Sequence, residues 1–313
     1  MADLFTSLSI GALPRLGQEP AIDGGFCAWL SKGSYQPSLS SENTKIVLEN
    51  TDSRRLIEFL SFDFERFSLA SCETFYIACA ENNSHSLLGW PLLKLYYSAF
   101  FAAHAIMRSQ GEGVVRFEKI QANLINSVIQ TLSGRNLDVK AGTYVFRLER
   151  KDSGLSITLE PSSDSGGVHE AFWKYFIGFL ERSAKRAVEK GLPDSDQFIG
   201  SVEEVSEAIR VGASGSGIWL SAVRNEINYQ HKHNVWYPTK KGDPIQKALA
   251  VHKFVPSSSI RLDSSKQRDP MIAFANTSKY LSCLNFELAE HLAKRSTASK
   301  AFGQKWRRLA ALM

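Results

Sequence analysis

Acidic residues are missing from the end of this chain, cysteine is sparse throughout, and no apolar run is long enough to cross a bilayer. From His291 onward there are six basic residues (Lys294, Arg295, Lys300, Lys305, Arg307, Arg308) and no Asp or Glu. Of the net charge of +5, the first 290 residues therefore contribute about −1, which predicts a neutral body and a basic tail. Four cysteines give no secreted disulfide framework. Cys72 and Cys79 lie seven apart on a predicted helix, and no second pair sits at metal spacing, so buried free thiols in a reducing cytoplasm are the expectation and no metal is implied. The N-terminus lacks a basic start followed by a sustained apolar run, which argues against a signal peptide. The longest strongly apolar run, Leu95 to Met107, suits a buried helix and is too short for a membrane span. No phosphate-binding Walker loop, G-x-S-x-G nucleophile elbow or paired-carboxylate motif is present. The glycines of GASGSG (212–217) follow no predicted strand, so they are no dinucleotide fingerprint, and no cofactor is implied.

What is there is helical periodicity. Hydrophobic content of 43% over 313 residues supports a substantial core. Residues 1–50 carry Gly, Pro and Ser at short intervals and no period; they read as an irregular segment packed on the body through Phe26, Trp29 and Tyr35. The body, 51–293, begins with a helix from Ser53 to about Ala80. Gly89 to Gly111 (GWPLLKLYYSAFFAAHAIMRSQG) then carries charge only at Lys94, His104 and Arg108, so its helix is central and surrounded by others. His104 is either a core imidazole or a second partner for a functional group nearby. Phe117 to Ser133 gives an amphipathic helix stopped by Gly134. Around 143–160 the period changes to two, with Asp152-Ser153-Gly154 as turn, which predicts a β-hairpin inserted into the helical body. His169 to Lys190 resumes a helix. Ser201-Val202-Glu203-Glu204 reads as a capping box opening a short one, and Asp269-Pro270 caps a long one leading to the tail, 294–313.

The stretch Leu220 to Pro238, LSAVRNEINYQHKHNVWYP, carries the candidate chemistry. If it is helical throughout, Arg224 and His231 project from one face about 10 Å apart along the axis, beside the apolar Leu220 and Ile227. Arginine stays charged and its planar fork matches phosphate oxygens; histidine titrates near neutrality and suits proton transfer. RNA brings its own nucleophile, the 2′-hydroxyl, so an Arg and a His suffice for cleavage without metal. Asn225, Tyr229 and His233 stand beside the pair as supporting groups. Lys232, Lys240 and Lys241 interleaved with Trp236 and Tyr237 offer charge for phosphate and rings for bases, as single-stranded RNA contacts do; the plainer alternative is a solvated loop whose rings pack back on the core.

Arg-Asn, six residues, then His, together with the aromatic and alanine-rich KLYYSAFFAAHAIM, resembles the R-x(4–6)-H signature and core helix of the HEPN superfamily. The resemblance implies a mainly α helical bundle and a metal-independent endoribonuclease, a toxin or phage-defence effector. It also implies a homodimer in which two Arg/His sets face one cleft, with RNA as substrate and an antitoxin or defence-system protein as a further partner. Position 233 is His where some toxins of the family carry a modifiable Tyr, so that modification is not carried over. The rival expectation is a HEPN-like module that binds a protein partner, a nucleotide or RNA and cuts nothing, with Arg224 in a structural ion pair and His231 packed.

Overall fold

Helix α4 (Gly89–Ser109) is buried on nearly every side. Its alanines and Ser98 let neighbouring backbones approach closely. Against it lie α3 (Ser53–Glu81) and α9 (Pro270–Arg295). The three cross at a ladder of small polar side chains: the Ser98 hydroxyl donates to the Ser71 carbonyl at 2.8 Å and lies 2.7 Å from the Ser282 hydroxyl. Buried hydroxyls satisfied in this way carry no desolvation penalty at the contact. Asp269 caps α9 as its sequence indicates, accepting from the Met271 and Ile272 amides. The computed structural model describes residues 4–17, 24–39, 45–81, 87–134, 138–151, 154–162, 168–192, 194–210, 218–236, 254–262, 269–296 and 303–311. Among the sequence expectations, the Asp152-Ser153 turn, the GASGSG connector, Tyr237, Pro238, Lys240, Lys241 and Lys300 lie outside the described residues.

The remaining elements are α1 (Leu4–Gly11), α2 (Phe26–Lys32), α5 (Lys119–Ser133), α6 (Val168–Glu189), α7 (Ser195–Arg210), α8 (Trp219–Gln230), α10 (Gln304–Ala310), and strands β1 (Tyr35–Leu39), β2 (Ile46–Asn50), β3 (Glu112–Phe117), β4 (Gly142–Lys151) and β5 (Gly154–Pro161). The fold is mainly α with one small antiparallel sheet, ordered β1-β2-β5-β4-β3. The hairpin expected near 143–160 is present as β4 and β5, but it is no isolated insertion: it forms the centre of five strands. The expectation that 1–50 is irregular is likewise corrected, since α1, α2, β1 and β2 all lie there. β1 escapes a periodicity search because it is short and holds Pro37, which an edge strand tolerates. The segment does pack on the body, with Phe26, Trp29 and Tyr35 buried.

Three smaller corrections follow. Phe117 ends β3 and does not start α5. Ser201 lies inside α7, its hydroxyl turned back to the Gln197 carbonyl at 3.0 Å, because an S-x-x-E string on a solvent-facing helix mimics a cap. The basic tail folds in part as α10, with Arg307 paired to Glu290 at 2.8 Å. Among the described residues no helix is long and apolar enough to cross a membrane.

Sheet and helices are joined by one buried ion pair. Arg108, in the last turn of α4, and Asp63, in mid-α3, are 1% and 2% exposed. Arg108 Nε reaches Asp63 Oδ2 at 3.4 Å, while Nη1 and Nη2 donate to the Glu112 and Val114 carbonyls of β3. Asp63 also accepts from the Phe26 amide at the start of α2 and from Arg66. A Cβ on Gly113 would fall 1.3 Å from Arg108 Nη1, so glycine is required for the strand to pass. Removing one partner leaves a buried charge alone, at a cost of about 3–5 kcal/mol. Asp63→Ala should lose stability of that order in urea denaturation, while Asp63→Leu with Arg108→Met should lose less than the two single changes summed. A loss under about 1 kcal/mol for Asp63→Ala would remove the pair from its structural role.

Candidate functional site

α8 stops one residue earlier than the expected face requires. His231 takes φ 51°, ψ 32°, in the left-handed region, and ends the helix, where the Lys232 amide bonds the Glu226 carbonyl at 3.2 Å. His233 and Asn234 are also left-handed, with φ 66° and 53°. Three non-glycine residues in this region store strain that the surroundings must hold. The Glu226 carboxylate does part of this, accepting from Lys232 Nζ at 3.0 Å and lying 2.9 Å from His233 Nε2. Burial raises the Glu226 pKa, and Lys232 and His233 overcome that and bring it below the usual carboxylate range. Val235 is buried, with its carbonyl accepting from the Leu88 amide at 3.0 Å. Trp236 donates its indole N–H to the Ile227 carbonyl at 2.7 Å and lies over Gly89, where a Cβ would come within 2.5 Å of the ring.

These contacts correct two expectations. His231 does not extend the helical face of Arg224; it turns at the helix end toward Trp236, 6.0 Å between ring centroids. Trp236 is packing, not a free stacking platform, and Lys232 is held by Glu226. The rings left open belong elsewhere: Trp90, 59% exposed, meets Trp236 edge-on and with Leu87, Asn228 and His231 lines a cleft of about 310 Å³.

Arg224 lies along the same α4–α8 seam. Only 9% of it is exposed. Nη2 donates to the Tyr97 hydroxyl, and Nη1 to Asn225 Oδ1 at 2.9 Å and the Tyr229 hydroxyl at 3.4 Å. The guanidinium sits 5.5 Å and 5.3 Å from the Tyr97 and Tyr229 rings, within cation–π range. Its Nε is buried with no partner, and among the described residues no carboxylate pairs with it. Burial would lower its pKa, but the hydroxyls of Tyr97 and Tyr229 raise it above the ordinary value. In return, the hydrogen bond and charge of Arg224 hold the exposed Tyr229 phenol below its usual range. Asn225 and Tyr229, expected beside the pair, are both hydrogen-bonded to Arg224. No hydrogen bond or ring contact joins Arg224 to His231 among the described residues.

His104 is a core imidazole. It stacks on Phe172 at 4.0 Å and Phe67 at 4.7 Å, and burial, then Arg108, drives its pKa well below the ordinary value. The histidine beside Arg224 is instead His169, at the start of α6. Its ring meets that of Tyr97 at 5.8 Å, and its Nδ1 lies 3.0 Å from the Tyr96 hydroxyl. The Trp173 indole can only donate, and it donates to that same hydroxyl at 3.0 Å. The Tyr96 hydroxyl thus bonds both rings, and where it gives its proton to Nδ1 the imidazole proton stands on Nε2. Burial, then the charge of Arg224, lowers the His169 pKa to about 4. With a pKa that low the imidazole is neutral near pH 7, a weak base that offers one N–H as a donor. No sequence signal ties His169 to Arg224, since they are far apart in the chain and on different helices.

The sign of a pH effect follows. Unfolded, His169 titrates near 6.5; folded, near 4. The unfolded state therefore binds the proton first, so this contribution to stability is complete above pH 6.5 and is lost as pH falls toward 4. His169→Asn should flatten the melting-temperature slope across that window relative to the unaltered chain; an unchanged slope would refute the assignment.

Comparison with known proteins adds no relative: no family model, no curated protein and no solved structure matches this chain.

Proposed function

We propose that the protein is a metal-independent endoribonuclease of HEPN type whose site is the α4–α8 seam. The observation that carries this is Arg224, a nearly buried cation with a partnerless Nε and no carboxylate among the described residues. The rival role of a structural ion pair finds no acid there. An anion answers the uncompensated charge, and the phosphodiester is the anion that the flanking rings and imidazoles suit.

In this reading RNA lies along the seam, a base against Trp90 in the 310 Å³ cleft and a phosphate at the Arg224 fork. His231 takes the proton from the 2′-oxygen as that oxygen bonds phosphorus and the P–O5′ bond breaks. Arg224 and the Nε2–H of His169 receive the charge that develops on the non-bridging oxygens. The leaving 5′-oxygen takes its proton from Tyr229 or from a second copy's His231. Within one protomer Arg224 and His231 make no contact, which favours the homodimer that the family resemblance implies, with each copy completing the other's site. The role as a toxin or phage-defence effector rests on that resemblance.

The full chain should cut single-stranded RNA in EDTA, leaving 2′,3′-cyclic phosphate and 5′-hydroxyl ends. His231→Ala should reduce the rate by about 10²–10⁴-fold. Arg224→Ala should do comparable damage with circular dichroism unchanged, and Arg224→Lys should recover it only in part. Mixing the Arg224→Ala and His231→Ala proteins should restore activity, because one interface then holds both intact groups. If the unaltered chain and both variants were equally inert on every RNA, the protein would be a binding module. Activity of the unaltered chain that is undiminished by dilution to a monomer would remove the dimer.

A further inference from the structure

A second uncompensated positive site lies between the sheet and α6, away from the α4–α8 seam. Its centre is Glu112, the first residue of β3, whose side chain is 4% exposed. One carboxylate there serves three arginines. Oε1 accepts from Arg186 at 2.9 Å; Oε2 accepts from Arg182 at 2.8 Å and from the Tyr175 hydroxyl at 3.0 Å, with Arg147 Nε at 3.9 Å. Burial alone would raise the Glu112 pKa, but Arg182 and Arg186 bring it below the usual range, so it is ionised. Arg147 has a second acid, Glu160, at 3.4 Å, but Glu160 is shared with Lys45 at 3.0 Å. Arg147, Arg182 and Arg186 thus share Glu112 and part of Glu160.

The donors left over point to where a ligand sits. Arg147 spends Nε on the Tyr175 hydroxyl and Nη1 on Glu160, leaving Nη2 without a bond among the described residues. Arg182 spends Nη2 on Glu112, and its Nε is buried with no partner. Both side chains line a cleft of about 300 Å³ whose wall also includes Glu160, Lys174, Tyr175 and Gly178. Gly178 sits mid-helix, where glycine costs about 1 kcal/mol relative to alanine. A Cβ there would come within 3.2 Å of Arg182 Nη1, so the glycine keeps space beside the guanidinium. The Tyr175 ring holds the two guanidiniums 5.7 Å and 4.9 Å from its centroid.

We propose that this cleft binds the phosphate group of a small phosphorylated molecule, through the unused donors of Arg147 and Arg182. Guanidinium forks match phosphate oxygens in pairs, and a dianion brings the charge that the cluster lacks. The volume is at the lower end of small-ligand pockets, which fits a phosphate ester or diphosphate. On binding, Arg147 gives the phosphate its Nη2 while Nη1 stays on Glu160, which also keeps Lys45. This site is independent of the RNA reading, since none of its residues lines the α4–α8 seam.

The test is calorimetric titration of the full chain with inorganic pyrophosphate and with ADP, alongside melting curves, with sodium chloride matched for ionic strength. Saturable one-site binding is expected, with a rise in melting temperature that chloride does not reproduce. Arg147→Gln should weaken it by about tenfold or more, the worth of one charged hydrogen bond. Lys174→Ala, an exposed change that leaves the Glu112 network intact, should weaken it less while the protein stays folded. Tighter ADP than pyrophosphate would assign a nucleotide; the reverse would assign the phosphate group alone. Absence of binding at low ionic strength, an equal effect of chloride, or unaltered affinity in both variants would overturn the proposal.

Discussion

The architecture depends on placing Arg108 and Asp63 together out of water. Neither is tolerated there alone, because a desolvated charge without its partner costs several kcal/mol. With both present, each donor and acceptor is aimed at a different element: β3 through two carbonyls, α2 through one amide, α3 through Asp63 and Arg66. The requirement extends to backbone. Gly113 must lack a side chain beside Arg108, and a Cβ on Gly25 would fall 1.9 Å from Asp63 Oδ1. The pair therefore fixes where the sheet meets the C-terminal end of α4. Since α4 is held along its length by α3 and α9, fixing that end also fixes the other, where Trp90 and Tyr97 face α8.

The strongly periodic parts were legible in the sequence. α3, α4, α6 and α9 follow from apolar spacing, and β4–β5 from alternation, because each pattern is long enough to outvote local noise. What escaped was short or conditional. β1 and β2 are five residues each, and β3 is six; none has a period long enough to distinguish, and all three exist because a partner strand supplies their hydrogen bonds. The end of α8 escaped for a different reason. His231, His233 and Asn234 adopt left-handed geometry that local propensity disfavours for histidine, imposed by the Glu226 carboxylate, the burial of Val235 and the Trp236 indole. Arg224 was identifiable from the motif, but its neighbours Tyr97 and His169 come from distant helices. A satisfied polar pair across helices leaves no trace in a single sequence.

The arginines of these three sites differ in how their charge is answered, and the contrast says more than any one site. Arg108 is balanced by Asp63 and spent on backbone carbonyls, so it is structural. Arg147, Arg182 and Arg186 are in excess over Glu112, and the surplus faces a cleft. Arg224 has hydroxyls and an amide oxygen about it and no described acid. Hydroxyls orient a guanidinium without cancelling its charge, whereas a carboxylate does both. Tyr97 and Asn225 therefore hold Arg224 rigid while leaving it fully positive, the combination an anion site needs. Burial first keeps His169 neutral, and the same field adds to it, since an imidazolium beside that guanidinium would be repelled.

α6 runs between the two positive regions. His169 stands in its first turn beside Arg224; Tyr175, Arg182 and Arg186 follow toward its C-terminal end. The helix dipole favours cations at that end, which helps Arg186 in the last turn share the Glu112 carboxylate. At the other end the dipole disfavours a protonated His169, reinforcing what Arg224 already does. One helix thus assigns opposite protonation logic to its ends: a neutral donor near the seam and permanent charge near the sheet. Exchanging the two would fail at both, because an arginine at 169 would meet Arg224 and the positive helix end, and a histidine at 182 would lose its charge near neutrality and with it the charged donor to Glu112 Oε2.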